Sequence, residues 1–91
     1  MVVREPTNQS EMNIWATKNV CLACENFMLS MRACGFDTCP MEGFDSKRVK
    51  DLLGLPPQAL ITMVISAGER SESGVYGPRI RFCKEEFVKE I

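Results

Sequence analysis

With 91 residues, 45% of them apolar and 25% charged, the chain has the composition of one soluble globular domain and no more. A formal net charge of −1 supplies no basic face, which argues against nucleic acid as a partner, and no stretch approaches the roughly 18 uninterrupted apolar residues of a membrane span. Histidine is absent, which excludes histidine acid–base catalysis and His-ligated metals. Five cysteines, an odd number behind an N-terminus without a signal-peptide pattern, point to free thiols in a reduced cytoplasm.

In chain order, Met1 to Gln9 is polar, contains Pro6 and reads as a flexible lead-in. Ser10 is the expected N-cap of a long helix, Ser10–Cys34, with Glu11 near the positive end of its dipole. Ala16, Val20, Ala23, Phe27, Met31 and Cys34 recur at helical spacing. Trp15, Leu22 and Leu29 form a second row, and Cys24 with Met28 a third patch. The apolar arc is wider than the ~100° stripe of a surface helix. At about 1.5 Å per residue the helix spans roughly 40 Å, more than a compact chain of this size is wide. It therefore reads as an interface helix, stopped by Gly35.

Phe36 to Met41 is expected to be only a short extended piece, because Pro40 removes a ladder donor. Asp45 is the expected N-cap of a second helix, Ser46 to Leu53, with Val49, Leu52 and Leu53 buried and Gly54 ending it before Leu55-Pro56-Pro57. Ala59 to Ala67 is nearly continuously apolar and predicts one strand covered on both faces. A loop, Glu69 to Gly77, follows. Then come the alternating Arg79-Ile80-Arg81-Phe82 and a charged tail anchored by Phe87, Val88 and Ile91. One strand makes no sheet, so the pattern calls for structure from elsewhere.

Three constellations bear on chemistry. Cys21-x-x-Cys24 and Cys34-x-x-x-x-Cys39 have metal-like spacing, but the first pair lies mid-helix among apolar neighbours, where cysteine acts as a small hydrophobe. Arg79 and Arg81 fall on one side of an extended segment; they suit a phosphate or carboxylate, or are a solvated pair of charges. In Pro40-Met41-Glu42-Gly43 the proline removes a donor and the glycine permits close approach to the main chain. Such a segment can offer bare amides to a flat ligand, or simply turn the chain. Glu42 and Asp45 do not read as an acid–base pair, since Asp45 is accounted for as a cap, and Trp15 reads as a packing residue.

Taken together, the helix from Trp15 to Arg32, Gly35-Phe36-Asp37-Thr38, Pro40-Met41-Glu42-Gly43-Phe44-Asp45, Gly54-Leu55-Pro56 and Pro78-Arg79-Ile80-Arg81 resemble the C-terminal part of the flavin-dependent nitroreductase family. The resemblance starts near Trp15 and runs to the end of the chain. It implies an α+β fold with helices flanking a mixed, largely antiparallel sheet, of which this chain is about half. It also implies a homodimer built on the long helix, with FMN at the interface and hydride passing from NAD(P)H through the flavin to a nitroaromatic or quinone-type acceptor. By the same resemblance the backbone of Pro40, Met41, Glu42 and Gly43 lies against the flavin ring, Arg79 and Arg81 contact the FMN phosphate, and the tail embraces the partner subunit. Family members more often carry lysine where Arg79 stands.

A full family member is considerably longer. Its N-terminal half brings an Arg-Ser-Arg type phosphate segment, an asparagine at the flavin and most of the sheet, and Met1 to Asn13 replaces none of these. The expectation is therefore a flavoprotein oxidoreductase or a truncated derivative of one. The alternatives are a catalytically inactive oligomerising fragment without a full flavin site and, last, a Cys-ligated metal protein.

Overall fold

The computed structural model describes residues 5–91. Its elements are α1 (Gln9–Ala33), β1 (Asp37–Met41), α2 (Ser46–Leu53) and β2 (Val64–Gly68), followed by a single 3-10 turn at Lys84–Glu86. The architecture is α+β.

The start of α1 differs from the expected one. Asn8, not Ser10, is the N-cap: its side-chain oxygen accepts from the Glu11 N–H at 2.9 Å. Glu11 in turn accepts from the Thr7 N–H at 3.0 Å and the Thr7 hydroxyl at 2.9 Å. This is a variant of the capping box in which Glu11 reaches back to Thr7, one residue before the cap, and Asn8-x-x-Glu11 provides it where Ser10 has no acid three residues on. Gln9 thus belongs to the helix rather than to a lead-in over 1–9, and residues 1–4 lie outside the described ones. At the other end Ala33 is the last helical residue and Cys34 the cap. The Phe36 N–H donates to Met31 O at 2.9 Å and the Gly35 N–H to Arg32 O at 3.1 Å, with Gly35 at φ 89°. These two bonds are a Schellman stop, which requires a left-handed residue between helix and strand.

The second helix has the predicted bounds and caps. Asp45 Oδ1 accepts from the Arg48 N–H at 3.2 Å, and Gly54 takes φ 67°. Its predicted buried face is a different matter. Val49 is half-buried, but Leu52 is 83% exposed, because no described element packs over it.

The single covered strand becomes a two-stranded antiparallel sheet. β1 pairs with β2 from Asp37 opposite Gly68 to Met41 opposite Val64. The extended piece after Gly35 is therefore a true strand, and Pro40 is tolerated because β1 is an edge strand among the described residues. The predicted strand over Ala59 to Ala67 shortens to Val64–Gly68, since β1 leaves the ladder after Met41 and residues 59–63 have nothing to pair with. Residues 79–82 form no strand.

Packing is concentrated where α1 meets β1 and where β1 meets β2. No described residue is buried. The chain exposes 8504 Å², against about 5,400 Å² for a compact chain of its mass. Its radius of gyration is 17.2 Å, where roughly 12 Å is usual for this length.

Candidate functional site

The chain leaves β1 directly into Pro40-Met41-Glu42-Gly43, and two local anchors fix that turn. Upstream, the ladder holds it as far as Met41. Downstream, the Asp45 cap starts α2, with the Val49 N–H on Asp45 O at 3.1 Å. Between them the Phe44 N–H donates to Glu42 O at 2.9 Å, a three-residue turn centred on Gly43. Gly43 is not among the residues of positive φ, and a Cβ built there would meet nothing within 4 Å. So it is not the backbone angle that requires a glycine here; what its missing side chain leaves is open space beside the peptide. The Glu42 and Gly43 N–H groups have no acceptor among the described residues.

Arg79 and Arg81 lie in exposed coil between the loop and the 3-10 turn. Arg81 Nη1 donates to Ile80 O at 2.8 Å, and neither arginine pairs with a carboxylate among the described residues. The six predicted site residues thus form two separate groups, a turn and a coil. None of them lines the concavity of about 480 Å³ that lies against Thr38, Cys39, Gly68, Arg70 and Gly74.

Asp37 and Arg70 line that concavity and, with Arg32 outside it, form a cluster the sequence did not announce. Asp37 Oδ1 takes Arg32 Nη1 at 2.8 Å, and Asp37 Oδ2 takes Arg70 Nε at 3.1 Å. Arg32 and Asp37 flank the Gly35 stop and were within reach of inspection as a pair. Arg70 comes to them only through the β1–β2 register, which sets Gly68 opposite Asp37.

All five cysteines are free thiols, with Cys21 and Cys24 half-buried on α1 and Cys34, Cys39 and Cys83 exposed. Among the described residues no three His, Cys, Asp or Glu side chains are grouped to hold a metal ion. No helix among them is long and apolar enough to cross a membrane.

Comparison with known proteins decides the family. The sequence model of the Nitroreductase family matches residues 1–69, which takes in both helices and both strands. The chain belongs to the nitroreductase family. Protein DrgA of Synechocystis is 39% identical over 57 residues, 63% of this chain and 27% of that protein. MhqN of Bacillus subtilis, which carries the name NAD(P)H nitroreductase, is 44% identical over 59 residues, 64% of this chain and 29% of its own length. Among solved structures, the nitroreductase ydfN of B. subtilis superposes with a TM-score of 0.80 at 35% identity, and a nitroreductase-like protein of Streptococcus mutans with 0.78 at 25%. Each superposition covers 91% of this chain and 40% of the other. This nitroreductase chain therefore spans between about a quarter and two fifths of the length of the relatives it matches. The family match ends at residue 69, before Arg79 and Arg81.

The residues present fit a flavin on chemical grounds. Two bare amides beside open space admit the edge of a flat heteroaromatic ring, and two guanidinium groups without carboxylate partners suit a phosphate.

Proposed function

We propose that this chain supplies the C-terminal part of the cofactor site of an FMN-dependent NAD(P)H oxidoreductase, acting on a nitroaromatic or quinone-type acceptor. The observation that carries the reading is the turn at 42–44, held at both ends, with the Glu42 and Gly43 amides unpaired and nothing within 4 Å of a Cβ at Gly43 among the described residues. Pro40 and Met41 deliver that turn from β1. Arg79 and Arg81 hold the phosphate. The flavin, when bound, supplies the two-electron chemistry that carries hydride from NAD(P)H to the acceptor. The protein's task is to bind and orient it, so no side chain need act as acid or base. The five free thiols suit a reducing cytoplasm. Titration of the purified chain with FMN, followed by quenching of flavin fluorescence, tests the reading. Saturable binding that Arg81→Ala weakens is expected; no quenching at high protein concentration overturns it.

A second reading is supported by the uncovered surface: an oligomerising fragment that binds no flavin. Ile14, Leu22 and Leu29 on α1 are 58%, 68% and 60% exposed, and a second copy packed on α1 would cover them. In either reading α1 is the homodimer helix. An FMN-free, well-folded dimer by light scattering favours the second reading over the first.

A further inference from the structure

We propose that Asp37 is a positioning residue that ties the two parts of the flavin site together, an inference that rests on the FMN reading above. Each of its carboxylate oxygens takes a different arginine, Oδ1 from Arg32 at 2.8 Å and Oδ2 from Arg70 at 3.1 Å. Arg32 stands in the last turn of α1, Asp37 opens β1, and Arg70 lies just beyond the end of β2. One carboxylate therefore joins three segments. The ladder runs from Asp37, opposite Gly68, to Met41, opposite Val64. Its far end delivers the turn at 42–44. Its near end releases the loop that leads from Arg70 to Arg79 and Arg81. Both groups of site residues thus take their direction from the strand that Asp37 anchors.

The seat of Arg70 is itself built. The Gly74 N–H donates to Ser71 O at 3.0 Å, closing a tight turn. A Cβ at Gly74 would lie 3.1 Å from Ser71 O, 3.2 Å from Arg70 Cγ and 3.3 Å from Ser71 Oγ. The turn packs closely on Ser71 and the Arg70 side chain, so a larger residue at 74 would have to push these neighbours by a few tenths of an ångström. Isolated exposed ion pairs contribute little, but here two arginines from different segments share one carboxylate that is only 31% exposed. The Arg32 contact is a charge-assisted hydrogen bond and the Arg70 contact an ion pair, so both carboxylate oxygens are engaged. Asp37 acts through the turn and the loop and touches no ligand.

The test is amide hydrogen exchange and FMN titration on the wild type, Asp37→Asn and Arg70→Gln. Asp37→Asn is expected to speed exchange in both 41–44 and 69–78 while α2 stays protected, and to weaken FMN binding about fivefold. Arg70→Lys, which keeps a charge near Oδ2, recovers part of both effects. Asp37→Asn and Arg79→Ala combined cost less than their separate effects summed, because both loosen the same phosphate contact. Wild-type exchange rates in both segments of Asp37→Asn overturn the proposal, as does full additivity with Arg79→Ala. A wild-type chain that binds no FMN overturns the flavin reading alone, since exchange still reads whether Asp37 holds both segments. If Asp37→Asn fails to fold, Arg70→Gln carries the same test with the Arg32 contact intact.

Discussion

Gly35 and Gly43 flank the same strand, and they are glycine for different reasons. Gly35 sits at φ 89° with nothing within 4 Å of its Cβ position, so its requirement is conformational. Gly35→Ala should cost about 1–2 kcal/mol through the left-handed angle alone. Gly43 has no such angle and equally open surroundings. Gly43→Ala should leave the melting temperature essentially unchanged and weaken FMN binding roughly tenfold, because the methyl group occupies the space beside the bare amides. Thermal melts of the two variants beside FMN titrations separate the two roles; a destabilised Gly43→Ala would make this glycine structural. The stop at Gly35 was legible in the sequence, since a glycine after an apolar helical run is a strong local signal. At Gly43 the residues alone left two readings, close approach of a flat ligand or a plain turn, because an open space is not encoded in neighbouring residues.

Among the elements, helix starts and stops followed local chemistry, and strand limits did not. α2 has its predicted bounds because Asp45 and Gly54 act within one turn of themselves. The limits of β2 depend on how many residues β1 offers, which no local pattern in residues 59–67 contains. At α1 two cap-capable residues competed, and Glu11 decided for Asn8 by closing the box. That box has a pH dependence of definite sign. The Thr7 N–H and then the Thr7 hydroxyl, both donating to the Glu11 carboxylate, hold its pKa below the ordinary value. A carboxylate whose folded pKa is depressed contributes stability that is present above its unfolded pKa and lost as pH falls through the folded one. Far-UV circular dichroism at low ionic strength should show the N-terminal turn of α1 fraying over that acid window. Glu11→Gln should flatten the transition; an unchanged acid limb would remove the box as its cause.

For the whole molecule the decisive quantity is surface. An excess of roughly 3,000 Å² over a compact chain exceeds the ~800 Å² that a standard interface takes from one partner. In the homodimer proposed above, where α1 is the interface helix, covering that surface makes folding and association inseparable. Leu22→Lys should therefore abolish assembly and cooperative folding together, since each leucine contributes about 2 kcal/mol when covered. Light scattering and a concentration series of thermal melts read both. A Leu22→Lys chain that remains folded and oligomeric would remove α1 from the interface. That the chain needs covering was legible from the breadth of the apolar arc on α1. The Asp37 cluster was not, since Arg70 reaches it only after the ladder has formed.

The shortened β2 has one more consequence. Leu60-Ile-Thr-Met-Val-Ile65 carries no charge and no proline, Leu60 is more than half exposed, and only the last two residues are in the ladder. Six such residues beside a strand edge that is unpaired among the described residues have the composition of a cross-β spine. On the homodimer reading proposed above, a copy without its partner is thus the form expected to nucleate fibrils, which thioflavin fluorescence against chain concentration would read.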